Sequence, residues 1–141
     1  MTKRILLVDD SKTARMFLKG PLKKAGFEVI EAGSGTEGLN LIQNSQNPID
    51  LIISDFNMPE MNGAEMMRQV RGMSGSTNEN SAVMFLTSDT SPAIKELCKE
   101  VSAKSIIMKP VQPVAVVKII RKFFEDIEDE DDESVSTSSV S

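Results

Sequence analysis

Five polar side chains stand directly behind four short apolar runs, and their types fit a cation and phosphate site. Asp9 and Asp10 follow Ile5-Leu6-Leu7-Val8, Asp55 follows the run 49–54, Thr87 follows 82–86, and Lys109 follows 105–108. Three carboxylates gathered in one small cleft repel and raise one another's pKa. A divalent cation relieves that repulsion. An all-oxygen donor set suits magnesium, which keeps several waters and takes phosphate oxygens as further ligands. The Lys109 ammonium can pair with a carboxylate or a bound phosphoryl group, and the Thr87 hydroxyl can donate a hydrogen bond to that group. Singly, each residue reads as ordinary turn or cap chemistry. The site reading rests on all five standing behind the right runs.

Those runs read as strands that alternate with helices. Strands are expected at Ile5–Val8, Phe27–Ala32, Ile49–Ser54, Ala82–Leu86 and Ser105–Met108. Ser11 caps a helix over 12–25, with Ala14, Phe17, Leu18, Leu22 and Ala25 on its inward stripe, and Gly26 closes it. Further helices are expected over 36–46, with Leu39, Leu41 and Ile42 inward, and over 64–71, 92–102 and 113–124, with polar connections at 57–63 and 72–80. Such units predict an α/β fold: a five-stranded parallel sheet with helices on both faces and right-handed crossovers. In these sheets ligands bind beyond the carboxyl ends of the strands, where the five residues fall.

Composition excludes much chemistry. The 141 residues include no His, so Ser-His-Asp and Cys-His nucleophiles, His-liganded zinc and a phosphohistidine are ruled out. Cys98 is the only Cys, which forbids an intramolecular disulfide and fits a reducing compartment; it lies on a stripe with Ile94, Leu97 and Val101 and reads as packed. No signal peptide or membrane-length apolar stretch is visible, so a cytoplasmic protein without membrane insertion is expected. The net charge is −5, but residues 125–133 (EDIEDEDDE) hold eight of the 21 acids. Residues 1–124 therefore read as a slightly basic domain, and 125–141 as an acidic, Ser-rich tail expected to be disordered. The overall balance argues against nucleic acid as a partner.

The motifs around the five residues resemble the receiver domain of two-component response regulators over about residues 3–124. The matching pieces are ILLVDDS at 5–11, LIISDFNMPEMNG at 51–63, FLTS at 85–88 and MKP at 108–110. The resemblance implies the flavodoxin-like (βα)5 fold with strand order 2-1-3-4-5. It implies that Asp55 accepts a phosphoryl group from a histidine kinase or phosphotransfer protein. Mg2+ (or Mn2+) would then be held by Asp10, Asp55 and the backbone carbonyl of Asn57, and by Asp9 through water. Lys109 would pair with the phosphoryl oxygens and Thr87 would move to hydrogen-bond them, biasing a surface of helix four, strand five and helix five toward a downstream protein. A phosphoacceptor of this kind is no turnover enzyme; it catalyses only its own phosphotransfer and a slow autodephosphorylation. A chemotaxis-type or phosphorelay regulator with no output domain, monomeric or weakly dimeric, is the expectation. Ile106 stands where the family usually carries an aromatic switch residue, Ser88 where a smaller residue is common, and Asn57 and Asp89 where the phosphoryl lifetime is tuned.

Rival readings exist. Gly33-Ser34-Gly35-Thr36-Glu37-Gly38 is a G-x-G-x-x-G behind a strand, the context of a dinucleotide site, but it leaves Asp9, Asp10, Thr87 and Lys109 unexplained. An aspartyl-nucleophile phosphatase needs a second acid two residues past Asp55, where Asn57 stands. A phosphorylation-independent adaptor is the third. The last helix carries Val114, Val116, Val117, Ile119, Ile120, Phe123 and Phe124, which is either a wide buried face or a partner surface.

Overall fold

The computed structural model describes residues 2–136 and alternates strand and helix throughout. The strands are β1 (Arg4–Val8), β2 (Glu28–Ala32), β3 (Leu51–Asp55), β4 (Ala82–Thr87) and β5 (Ser105–Met108). The helices are α1 (Lys12–Lys24), α2 (Gly35–Asn44), α3 (Gly63–Arg71), α4 (Pro92–Glu100) and α5 (Pro113–Ser136). All pairings are parallel, in the order β2-β1-β3-β4-β5. β1, β3 and β4 are central and almost wholly apolar, as burial on both faces requires. Alternate residues divide between two cores. Leu6, Val8, Ile52, Val83 and Phe85 meet α2, α3 and α4, whereas Ile5, Leu7, Ile53, Met84 and Leu86 meet α1 and α5.

Local signals start and stop the helices. Ser11, Ser34, Asn62 and Ser91 each accept a backbone N–H of the first turn, and Asn62 with Glu65 forms a reciprocal capping box. After α1, Gly26 at φ 98° lets its own N–H reach the Lys23 carbonyl and the Phe27 N–H reach that of Leu22. That left-handed stop is one glycine adopts without steric cost.

The polar connection 72–81 is anchored rather than loose. Asn78 is buried; its side chain accepts the Ile49 N–H at 2.8 Å and donates to the Ile42 carbonyl at 3.2 Å, tying α2 to the start of β3. Arg71 donates to the carbonyls of Glu79, Ser81 and Val101. Asn78→Ala would leave the Ile49 N–H without its acceptor and take one of two donors from the Ile42 carbonyl, and is expected to lower stability by about 1–3 kcal/mol in chemical denaturation.

Two expectations are corrected. Phe17 is not inward but 54% exposed; Leu18 and Leu22, spaced by four, take the buried stripe, and Phe17 lies a hundred degrees around the helix. The last helix does not end at Phe124, its last buried residue, but runs to Ser136. No Gly or Pro follows Pro113, and Lys122 pairs with Asp126 one turn on, at 3.2 Å. The helix thus extends into the acidic segment, and residues 137–141 lie outside the described residues.

Candidate functional site

The parallel sheet brings the five residues to one edge because β1, β3, β4 and β5 all end there. Asp9 follows β1, Asp55 is the last residue of β3, Thr87 the last of β4, and Lys109 follows β5. Asp9, Asp55 and Thr87 are 3%, 5% and 1% exposed, whereas Asp10 is open to solvent. Oxygens of Asp9, Asp10 and Asp55 lie within 4.8 Å of one another. Lys109 Nζ sits 2.9 Å from Asp55 Oδ1, so in this state the ammonium pairs with the carboxylate. Asn57 is exposed at the head of the loop that leaves β3.

Three acids and one ammonium leave the pocket negative. Burial pushes the Asp9 carboxyl up; the Ser11 N–H, donated to it at 2.8 Å, pulls down; the charge of Asp55 pushes up again. A raised folded pKa means that ionised Asp9 costs the cation-free fold stability. That cost is absent below the ordinary value of 3.8 and grows as pH rises through the folded value. In chelator, Asp9→Asn is therefore expected to raise the denaturation midpoint at neutral pH, and the gain should vanish as pH falls toward 3.8. An equal gain at both pH values would contradict it.

Thr87 and Ile106 are poised differently from the acids. The Thr87 hydroxyl accepts the Asp89 N–H at 3.0 Å and donates to the Asp89 carbonyl at 3.2 Å, so it is engaged with the connection to α4. Ile106 is half-buried and packs on the core shared with α4.

Two contributors act through contacts that local spacing does not show. Arg15 Nη1 donates to the Asp9 carbonyl at 2.6 Å, while its Nε pairs with Glu31 at 3.2 Å. Lys19, and then Arg15, hold the Glu31 carboxyl below its ordinary range. This chain of charges pins the backbone that carries Asp9 and Asp10, and nothing in local spacing marks Arg15 for it. Gly63, which in sequence is only loop punctuation, sits where a Cβ would fall 2.9 Å from the Asp55 carbonyl oxygen.

The glycines of the G-x-G-x-x-G run have packing roles. A Cβ on Gly35 would meet Met61 Sδ, and one on Gly38 would meet Met66 Sδ, each at 3.0 Å. Two N–H groups around the start of α2 are already taken, that of Gly33 by Glu37 Oε2 and that of Glu37 by Ser34 Oγ, each at 3.0 Å. A pyrophosphate would have to displace both.

The family model of the response regulator receiver domain matches residues 5–121. The chain belongs to that family. Chemotaxis protein CheY of Thermotoga maritima is 32% identical to this receiver over 123 residues, covering 86% of this chain and 98% of the relative. The chemotaxis response regulator CheY4 of Vibrio cholerae superposes with a TM-score of 0.78 at 35% identity, over 86% of this chain and 98% of that one. Other relatives are far longer. The sensory/regulatory protein RpfC of Xanthomonas campestris is 32% identical over 108 residues, 77% of this chain, and the receiver spans only 15% of its length. Among the described residues, no helix is long and apolar enough to cross a membrane.

Proposed function

We propose that this receiver carries a phosphoryl signal on Asp55. The supporting observation is the Asp55 carboxylate itself, nearly buried, 2.9 Å from the Lys109 ammonium, with carboxylate oxygens of Asp9 and Asp10 beside it. In the proposed step an Asp55 oxygen attacks the phosphorus of a phosphohistidine on a partner kinase or phosphotransfer protein. The P–N bond breaks, an acyl phosphate forms, and the donor ring, protonated on its other nitrogen, leaves with the partner as neutral imidazole. These 141 residues contain no His, so the donor histidine lies outside them.

Phosphoryl transfer is catalysed mainly by positioning and by neutralising charge on the equatorial oxygens. Lys109 supplies one positive charge by exchanging its carboxylate partner for a phosphoryl oxygen. The donor set suits Mg2+, with Mn2+ a chemical substitute: Asp10, Asp55 and the Asn57 carbonyl would hold it, and Asp9 would do so through water. When bound, the cation supplies the remaining positive charge. The exposed Phe17 lines the same cavity as Asp9 and Lys109, about 380 Å³, and offers an apolar rim to the donor protein.

The new charge, about −1.5 to −2, carries three strong acceptors. Thr87 would leave the Asp89 backbone to donate to one of them. That loosens the start of α4 and shifts α4, β5 and α5 between two states that a downstream protein distinguishes, with Ile106 packed between sheet and α4. The readout is thus binding, in keeping with a phosphoacceptor that turns over no external substrate and acts in the cytoplasm.

A phosphorylated histidine phosphotransfer domain carrying 32P tests the transfer. Label is expected to pass to this chain in Mg2+, to be released by hydroxylamine as an acyl phosphate is, and to stay with the donor in chelator. Label that resists hydroxylamine would overturn the carboxylate as acceptor.

A further inference from the structure

α5 is divided by charge. Its first half carries Lys118 and Arg121; beyond Phe124 come Glu125, Asp126 and Glu128, and in sequence the acids continue through Glu133. The first half forms a groove of about 600 Å³ with the end of α1. Val114, Val117 and two prolines give it an apolar lining, Lys24, Lys118 and Arg121 make its charges, and among the described residues no acid lines it. Val114 is 70% exposed there, the largest exposure of any large apolar side chain described.

The acidic half complements this groove, yet cannot fill it within one molecule. It continues the same helix, whose 24 residues span roughly 36 Å, and so leads away from the groove. A second copy has no such constraint. Lys118, Arg121, Glu125 and Glu128 are all exposed and follow one another at steps of three, four and three residues, which places them on one face. They are also symmetric about residue 123. A two-fold axis there sets Arg121 opposite Glu125 and Lys118 opposite Glu128 of the second copy, and each pair occurs twice.

We propose that this α5 face is a self-docking surface on which a second copy lays its own α5 antiparallel, acidic half toward the basic groove. Exposed ion pairs are individually weak and screened by salt, so the dimer is weak and salt-sensitive. The inference stands independently of the phosphoryl chemistry, since none of these residues lines the Asp55 pocket.

Sedimentation equilibrium over a concentration series tests it, in low salt and in about 1 M salt, where the Debye length falls to about 3 Å. The full chain is expected to dimerise in low salt and to dissociate in high salt. The double variant Lys118→Glu, Arg121→Glu is acidic along the whole face, and Glu125→Lys, Glu128→Lys is basic along it; each alone is expected to be monomeric. Mixing the two should restore a dimer, which also shows that both fold. A native chain that stays monomeric in low salt, a dimer indifferent to both double variants, or failure of the mixture to associate would overturn the proposal and leave the groove to another acidic partner.

Discussion

Lys109→Met is expected to tighten divalent-cation binding while slowing phosphoryl uptake roughly a hundredfold. The two effects have opposite signs because Lys109 acts on two different charges. In the resting protein its ammonium, 2.9 Å from Asp55, offsets part of the charge of three carboxylates whose oxygens lie within 4.8 Å of one another. Removing it makes the pocket more negative, which favours a divalent cation. In the proposed transfer the same ammonium would be the protein's own cation for the phosphoryl oxygens, and losing one such preorganised donor typically costs about 10²–10³ in rate. Met keeps the stem volume without the charge. A calorimetric Mg2+ titration beside a phosphorylation time course separates the effects. Weaker Mg2+ binding with unchanged uptake would contradict the assigned role.

Gly63→Ala is expected to cost about 2–3 kcal/mol of stability and to impair phosphoryl uptake in the molecules that remain folded. An added Cβ would lie 2.6 Å from the Phe85 ring and 2.9 Å from the Asp55 carbonyl oxygen. Phe85 is fully buried and packed edge-on against Phe56, so it has nowhere to retreat. The Gly63 N–H also donates to the Phe56 carbonyl at 2.8 Å, which holds the start of α3 against the end of β3. The clash must be relieved by moving the backbone that carries Asp55. Gly20 is the internal contrast. It lies exposed within α1, where an added Cβ would meet nothing within 4 Å outside its own stretch of helix; Pro21 next in the chain opposes a helical Ala before it and offsets the propensity gain, so Gly20→Ala should change stability by less than about 1 kcal/mol. Urea denaturation of both variants checks the pair; equal effects would remove the steric explanation.

The sheet is legible in the sequence because central parallel strands are buried on both faces and stand out as apolar runs. Ile5–Val8 and Leu51–Ile53 show this, and their ends point to the site residues. What stays hidden depends on distant partners or on competing local rules. Arg15 and Asn78 work through backbone groups of other elements: Asn78 reaches Ile42, 36 positions away. Gly63 matters through space that only the packed Phe85 defines. Phe17 and Leu18 both fit a helical stripe, and only the docking angle of α1 chooses between them. The end of α5 is set by two rules in conflict. Acids near a helix C-terminus oppose the macrodipole, whereas the absence of any breaker after Pro113 lets the helix continue, and the second wins. At the site, sequence leaves Lys109 free to pair with a carboxylate or a phosphoryl group; the resting structure has the first.

The most direct test of Asp55 as the phosphoacceptor is intact-mass spectrometry after incubation with a small phosphodonor and Mg2+. The native chain should gain the mass of one phosphoryl group, none in chelator, and Asp55→Asn none under either condition. A native chain that gains nothing, or an Asp55→Asn chain that gains as much as the native one, would contradict it.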